Sequence, residues 1–254
     1  MQGRIGWLRG TLLAALGIVL LAPAGAGADS VKIGSTLQST QNSGFLAYAA
    51  VQLASATPRQ LVSPSNGVIT EWGIRVGFPE TYSLLVMHPK SDGSGGFDVT
   101  AGAAAPSPAD GTPDKTYLYS VPSIPIAKGD SIGLLAPGND LPLHNTGNPA
   151  DIAGGYSSIP PTIGGSIGPP TQNPGRELLL QATVKFCKAP DVAGKTVAVA
   201  KQLITAADCT PVVKKKKTKK KKKRGKVIRQ TTAAGTTGVP GTTVGIVVGK
   251  KGKR

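Results

Sequence analysis

Turn-forming residues interrupt this chain so often that long surface helices have little room. Its 254 residues include 34 Gly and 21 Pro, and the apolar residues between them fall in short runs, which suits strands joined by turns. Candidate strands are Gly67–Val76, Tyr82–His88, Thr116–Val121, Ser131–Leu135 and Glu177–Val184. In the first, alternation puts Val68, Thr70, Trp72 and Ile74 on one face and Ile69, Glu71, Gly73 and Arg75 on the other. Ser65-Asn66-Gly67, Ser91-Asp92-Gly93, Lys128-Gly129-Asp130 and Pro137-Gly138-Asn139-Asp140 supply turns. Leu141–Arg176, rich in Gly, Pro, Ser and Asn, reads as long loops with one strand. Strands of this length and spacing predict a mainly β chain with an antiparallel β-sandwich over residues 29–186.

The first 28 residues read as a secretory leader. Arg4 and Arg9 precede an apolar run, Thr11–Ala22, and Ala26-Gly27-Ala28 reads as a peptidase site that leaves Asp29 at the mature N-terminus. The run is short for a membrane span of about 30 Å, although a retained anchor is the alternative use of such a segment. No second long apolar segment follows, so the expectation is an exported protein, extracellular or wall-associated, with no integral span after cleavage.

Charge divides the remainder. Asp29–Phe186 carries 8 Lys/Arg against 11 Asp/Glu, a net of −3, whereas Cys187–Arg254 carries 19 against 2, a net of +17. The break near residue 187 marks a second domain, 187–254, and points it at an anionic partner. Within it, Thr196 is placed to cap a helix whose apolar face is Ala200, Leu203, Ile204 and Ala207. Strands follow at Thr210–Val213, Lys226–Thr231 and Thr242–Val248. One helix on a three-stranded sheet buries one face of each.

These pieces resemble the PASTA domain. Pro190-Asp191-Val192-Ala193-Gly194-Lys195-Thr196, Val227-Ile228-Arg229-Gln230, Ala233-Ala234-Gly235 and Gly241-Thr242-Thr243-Val244-Gly245-Ile246-Val247-Val248 match that family's motifs in order, over about residues 188–250. The chain departs from the pattern at Thr231-Thr232, where the family has Ser/Asn-Pro, and in the lysine-loaded stretch before Val227. The resemblance implies a small α+β module that binds peptidoglycan or related wall fragments; a structural spacer is the other known use. More loosely, the order of Pro64–Trp72, Ile126–Leu134 and the Glu177-Leu178-Leu179-Leu180 strand resembles jelly-roll domains of uncharacterised secreted actinobacterial proteins, which implies no ligand.

Two features of this region carry the functional expectation. Lys214, Lys215, Lys216, Lys217, Lys219, Lys220, Lys221, Lys222, Lys223 and Arg224 crowd between the first and second of these strands, with Arg229 nearby. Like charges at this density resist burial, so the run reads as strand ends and an extended hairpin loop. It is either a solubility loop or a binding surface for anionic wall polymer or, less specifically, any polyanion, because lysine ammonium groups are point charges without a bidentate geometry. Cys187 and Cys209 are the only cysteines; in an exported chain an even count predicts a disulfide, and the rival use as metal ligands has no nearby His.

Catalytic patterns fail on inspection. Gly164-Gly165-Ser166-Ile167-Gly168 fits G-x-S-x-G, but both histidines, His88 and His144, precede it, against the order that hydrolase motif requires. Gly194-Lys195-Thr196 ends like a phosphate-binding loop, yet Ala189 stands where the first Gly belongs. Asp92, Asp98, Asp110 and Asp114 occupy turn-rich stretches where Asp bonds backbone. His88 reads as a strand-end residue, and Trp72 and Tyr82 read as core packing, with sugar stacking as the alternative. The expectation is a non-catalytic wall-binding protein with no cofactor or metal. The alternative is a structural or adhesion protein whose β-sandwich binds an unknown ligand, a carbohydrate among the options, with the basic module as spacer.

Overall fold

A computed structural model describes residues 29–138 and 140–251; the leader read over residues 1–28 lies outside the described residues. In chain order the strands are β1 (Asp29–Gly34), β2 (Ser43–Leu46), β3 (Ala49–Ala54), β4 (Gly67–Val76), β5 (Ser83–Pro89), β6 (Phe97–Ala104), β7 (Lys115–Ile126), β8 (Ser131–Leu135), β9 (Asp140–Asn145), β10 (Ile152–Tyr156), β11 (Ser166–Ile167), β12 (Thr171–Pro174), β13 (Arg176–Leu178) and β14 (Leu180–Lys188). Helix α1 (Val197–Ala206), β15 (Thr210–Thr218), a 3₁₀ turn (Lys221–Lys223), β16 (Val227–Gln230), β17 (Thr237–Gly238) and β18 (Thr243–Lys251) complete the chain. The molecule is mainly β, and up to β14 every pairing is antiparallel.

One sheet runs β1-β14-β4-β7 and a seven-stranded sheet runs β11-β6-β5-β8-β3-β10-β12, with a short β13-β9-β2 sheet beside them. Side chains on a strand alternate, so the continuous apolar run of β5 feeds two cores. Leu84 and Val86 join Ile33, Trp72, Ile74, Leu134, Leu180 and Val184 in the main core. Leu85 and Met87 join Val51, Phe97, Val99 and Tyr156 on the other face of the same sheet.

That second core exists because the seven-stranded sheet rolls up. β11 and β12 end its two edges, yet only Gly168, Pro169 and Pro170 separate them in the chain. A flat sheet would hold its outer strands about 29 Å apart at about 4.8 Å per strand. Three residues reach about 15 Å at most. The edges therefore approach each other, and the linker touches both sides: a Cβ on Gly154 of β10 would fall 2.7 Å from Pro170, and one on Gly95, just before β6, would fall 3.7 Å from Pro169. This corrects the expectation of long loops over Leu141–Arg176. Gly and Pro there serve strands at a tightly curled sheet's edges, where a bare backbone admits its neighbour and Pro needs no ladder partner.

Two strand expectations also change in detail. In β4 a bulge at Thr70 shifts the register against both β7 and β14, so Ile69 is buried together with Trp72, Ile74 and Val76, instead of Val68 sharing their face. The Glu177–Val184 run breaks at Leu179, where the chain leaves β13 for β14 in a different sheet. Trp72 and Tyr82 are 1% and 0% exposed, and the Tyr82 hydroxyl donates to the Asp140 carbonyl at 3.0 Å.

Beyond β14, β18 is the central strand of a three-stranded sheet, with β15 parallel on one side and β16 antiparallel on the other. Thr196 caps α1, its hydroxyl accepting the Val199 amide at 3.4 Å. Ala200, Ile204 and Ala207 are buried and Leu203 packs beside them, against Val227, Val244, Ile246 and Val248. Cys187, in β14, forms a disulfide with Cys209, beside the start of β15.

Candidate functional site

The sheet's two faces have opposite fates. Val213, Val244, Ile246, Val248 and Val227 turn toward α1, so register and alternation place Val212, Lys214 and Lys216 of β15, with Gly245, Val247 and Gly249 of β18, on the open face. The two glycines have a steric purpose. A Cβ on Gly249 would fall 2.2 Å from the Lys223 carbonyl oxygen, and one on Gly245 would fall 2.0 Å from the Thr231 hydroxyl. Chain segments therefore close down on the sheet at both positions, and Val247 between them becomes a floor.

Over that floor lies a cleft of about 460 Å³, lined by Lys216, Lys217, Thr218, Lys219, Lys220, Lys223, Ile228, Arg229 and Val247. A bulge at Ile228 in the pairing of β16 with β18 brings Ile228 and Arg229 to it together. A smaller cavity of about 180 Å³ lies further along the face, with Lys214 and the threonines Thr231, Thr232 and Thr243 at its walls. Of the expected cations, the structure gathers Lys216, Lys217, Lys219, Lys220, Lys223 and Arg229 around one cleft. Lys214 belongs to the smaller cavity, while Lys215, Lys221, Lys222 and Arg224 point elsewhere and are exposed. Among the described residues none of these cations has an ion-pair partner.

The lysine run supplies a strand end, as the sequence suggested, but not a hairpin loop. Lys214–Lys217 extend β15 alongside β18 in a parallel ladder, where Lys215 pairs with Val248 and Lys217 with Lys250. The remainder crosses the end of β18 to reach β16, held by the Gly225 amide donating to the Gly249 carbonyl at 2.9 Å and the Gly249 amide donating to Lys226 at 3.1 Å. β15 and β16 flank β18 on opposite sides, so the lysines span the end of that strand instead of turning between neighbours. Val247, Ile228 and Thr218 escaped the sequence reading; the Gly-x-Val-x-Gly spacing at Gly245, Val247 and Gly249 is the trace they leave in it.

Other motif residues hold the module's frame. The Gln230 side chain accepts the Val192 amide at 2.8 Å and donates to the Pro190 carbonyl at 2.9 Å, clamping the stretch that precedes α1 to β16. Residues 188–250 match the model of the PASTA domain. PASTA domains are binding modules for peptidoglycan-related ligands and occur in cell-wall-associated proteins. Here the PASTA unit has the expected single helix and three-stranded sheet, and its lysine-rich departure from the family pattern is what builds the cleft wall. No match was found among curated proteins or among solved structures.

The remaining candidates have local duties. Asp110 accepts from the Thr112 amide at 2.9 Å and from Lys115 at 2.6 Å; bonds from Lys115, then Thr112 and Tyr117, hold its carboxyl well below the usual carboxylate range. Asp114 accepts the Gln41 amide at 2.7 Å and Asp92 the Ser94 amide at 2.9 Å. His88 is a strand-end residue, as read, with Nδ1 2.6 Å from the buried Asp130 carboxylate, which also accepts the Ala127 amide. Ser166 opens β11 and donates to Asp98.

Proposed function

We propose that this protein is exported and non-catalytic, and that its PASTA module holds anionic cell-wall polymer in the cationic cleft. The observation that carries the reading is the convergence of Lys216, Lys217, Lys219, Lys220, Lys223 and Arg229 on one concavity, with no acidic side chain among the described residues at its walls. Unneutralised cations held this close raise the local potential, and a polyanion relieves their repulsion on binding. The apolar floor of Val247 and Ile228 gives the ligand's uncharged backbone a surface, which a solvated loop would not offer. In this reading residues 1–28 are a cleaved leader, 29–186 a sandwich and 187–254 the basic module.

The test is cosedimentation of the chain lacking residues 1–28 with purified wall sacculi, with and without their anionic polymers, across a salt series. Retention on polymer-bearing sacculi should fall steeply with salt, because each neutralised charge releases a counterion. Combined Lys216→Gln, Lys220→Gln and Lys223→Gln should remove most of that retention and flatten the salt slope. Full retention by the triple variant on polymer-bearing sacculi at low salt would overturn the reading.

A further inference from the structure

A second concavity lies at the seam of the rolled sheet, where the chain leaving β10 passes the β11–β12 linker. It has a volume of about 310 Å³. It is lined by Tyr156, Ser157, Ser158, Ile159, Ser166 and Thr171 together with glycines, Ile167 and Pro169, and by no charged residue among the described residues. Tyr156 is nine-tenths buried at 9% exposure, and its hydroxyl has no hydrogen-bond partner among the described residues. A buried phenol without a partner forfeits a hydrogen bond that water would have supplied. Burial alone pushes its ionisation above the ordinary phenol range, with no neighbouring charge contributing. Ile159 is 74% exposed, an apolar side chain held at the rim.

We propose that this seam pocket binds one unit of an uncharged saccharide. Each Ser or Thr hydroxyl is both donor and acceptor, as is each sugar hydroxyl, so four of them around one small cavity suit a ligand dense in such groups. Exposed Ile159 gives a C–H face of the ring an apolar surface, and a sugar hydroxyl seated against Tyr156 supplies its oxygen with the missing partner. The absence of charge among the walls selects a neutral ligand over an acidic one. Asp98, the nearby carboxylate, accepts from Ser166 and so orients that hydroxyl at the wall. The Gly-x-Ser-x-Gly stretch thus has a use without a histidine: its glycines form the turn that delivers Ser166 to the seam.

Titration calorimetry of the chain lacking residues 1–28 with cellotetraose, tetra-N-acetylchitotetraose and tetragalacturonate tests this. At least one of the two neutral tetrasaccharides should bind saturably, and tetragalacturonate should be silent in the Lys216→Gln, Lys220→Gln, Lys223→Gln variant, where the cationic cleft no longer takes it up. Which neutral sugar binds separates a plain hydroxyl ligand from an N-acetylated one. Tyr156→Phe removes only the unpartnered oxygen, so the fold is kept, and affinity should drop about tenfold for one lost hydrogen bond. Ser158→Ala with Thr171→Ala should act likewise. Combined Lys216→Gln, Lys220→Gln and Lys223→Gln should leave neutral-sugar affinity unchanged, which separates this pocket from the cationic cleft. Failure of both neutral sugars to bind at millimolar concentration, or binding that survives the Tyr156 and Ser158/Thr171 changes undiminished, would overturn the proposal.

Discussion

Glu177 shows how much of this fold rests on a single side chain. Its carboxylate is 3% exposed and accepts from the Ser35 hydroxyl at 2.7 Å and the Ser39 hydroxyl at 3.2 Å, while Arg59 pairs with it. Three chain segments therefore meet at one buried charge. Glu177→Ala leaves Arg59 and Ser35 without their acceptor, and breaking such a pair from one side typically destabilises by about 3–5 kcal/mol. We expect the low end, about 3 kcal/mol, because Arg59 keeps 15% side-chain exposure and can turn to water. Urea denaturation of the chain lacking residues 1–28, followed by Trp72 fluorescence, measures it, and an unchanged midpoint would show that the network contributes nothing. None of this was legible in the sequence, where Glu177 reads only as the start of a strand. Its partners lie 118 and 142 residues away, and a buried charge has no local pattern of its own. Trp72 and Tyr82 were legible as core, since large aromatics between alternating apolar residues have few other places to go.

Elements were legible where local chemistry determines them, and illegible where pairing does. The α1 cap at Thr196 and its apolar face follow from spacing alone, as do β4 and β8, which coincide with the runs read from the sequence. The bulge at Thr70 and the parallel course of β15 did not show, because both depend on a partner strand distant in sequence. Hence the cleft's cations could be named while its floor could not. The disulfide joins the two kinds of information. Cys187 and Cys209 tie the end of the sandwich strand β14 to the turn that leads into the first strand of the PASTA sheet, across a separation of 22 residues that includes α1. Closing a span of that length stabilises by about 3 kcal/mol in the chain-entropy model. Cys187→Ala with Cys209→Ala should therefore speed amide exchange at Ile246 and Val248, whose β18 ladder reports the module. Trp72 fluorescence, which reports the sandwich in a chain lacking residues 1–28, should keep its denaturation midpoint. Equal destabilisation by both probes would mean that module and sandwich unfold as one unit.

At the scale of the whole molecule, the compositional break at residue 187 falls inside a strand. β14 runs from Leu180 to Lys188: Lys185 pairs with Ser30 on one side and Val68 on the other, and Cys187 and Lys188 then pair with Gly238 and Thr237 of β17. The next amide, Ala189, donates to Thr236 at 2.8 Å. A strand hydrogen-bonded on into the second unit transmits orientation, whereas a tether would not, so β14 sets how the module leaves the β1-β14-β4-β7 sheet. Trypsin distinguishes the two arrangements, because cleavage requires a stretch of backbone to leave its ladder. The connection around the Lys221–Lys223 turn is held mainly by local bonds, Lys223 to Lys220 at 3.0 Å and Arg224 to Lys221 at 3.2 Å. Limited digestion of the native chain should therefore begin between Lys219 and Lys223. Lys185 and Lys188, equally good substrates by sequence, should be cut only after that region. Anionic wall polymer in the cleft should slow the first cut, since it covers the residues trypsin must read. A first cut after Lys185 or Lys188 would mean that the ladder opens at the junction and that the module swings freely from the sandwich.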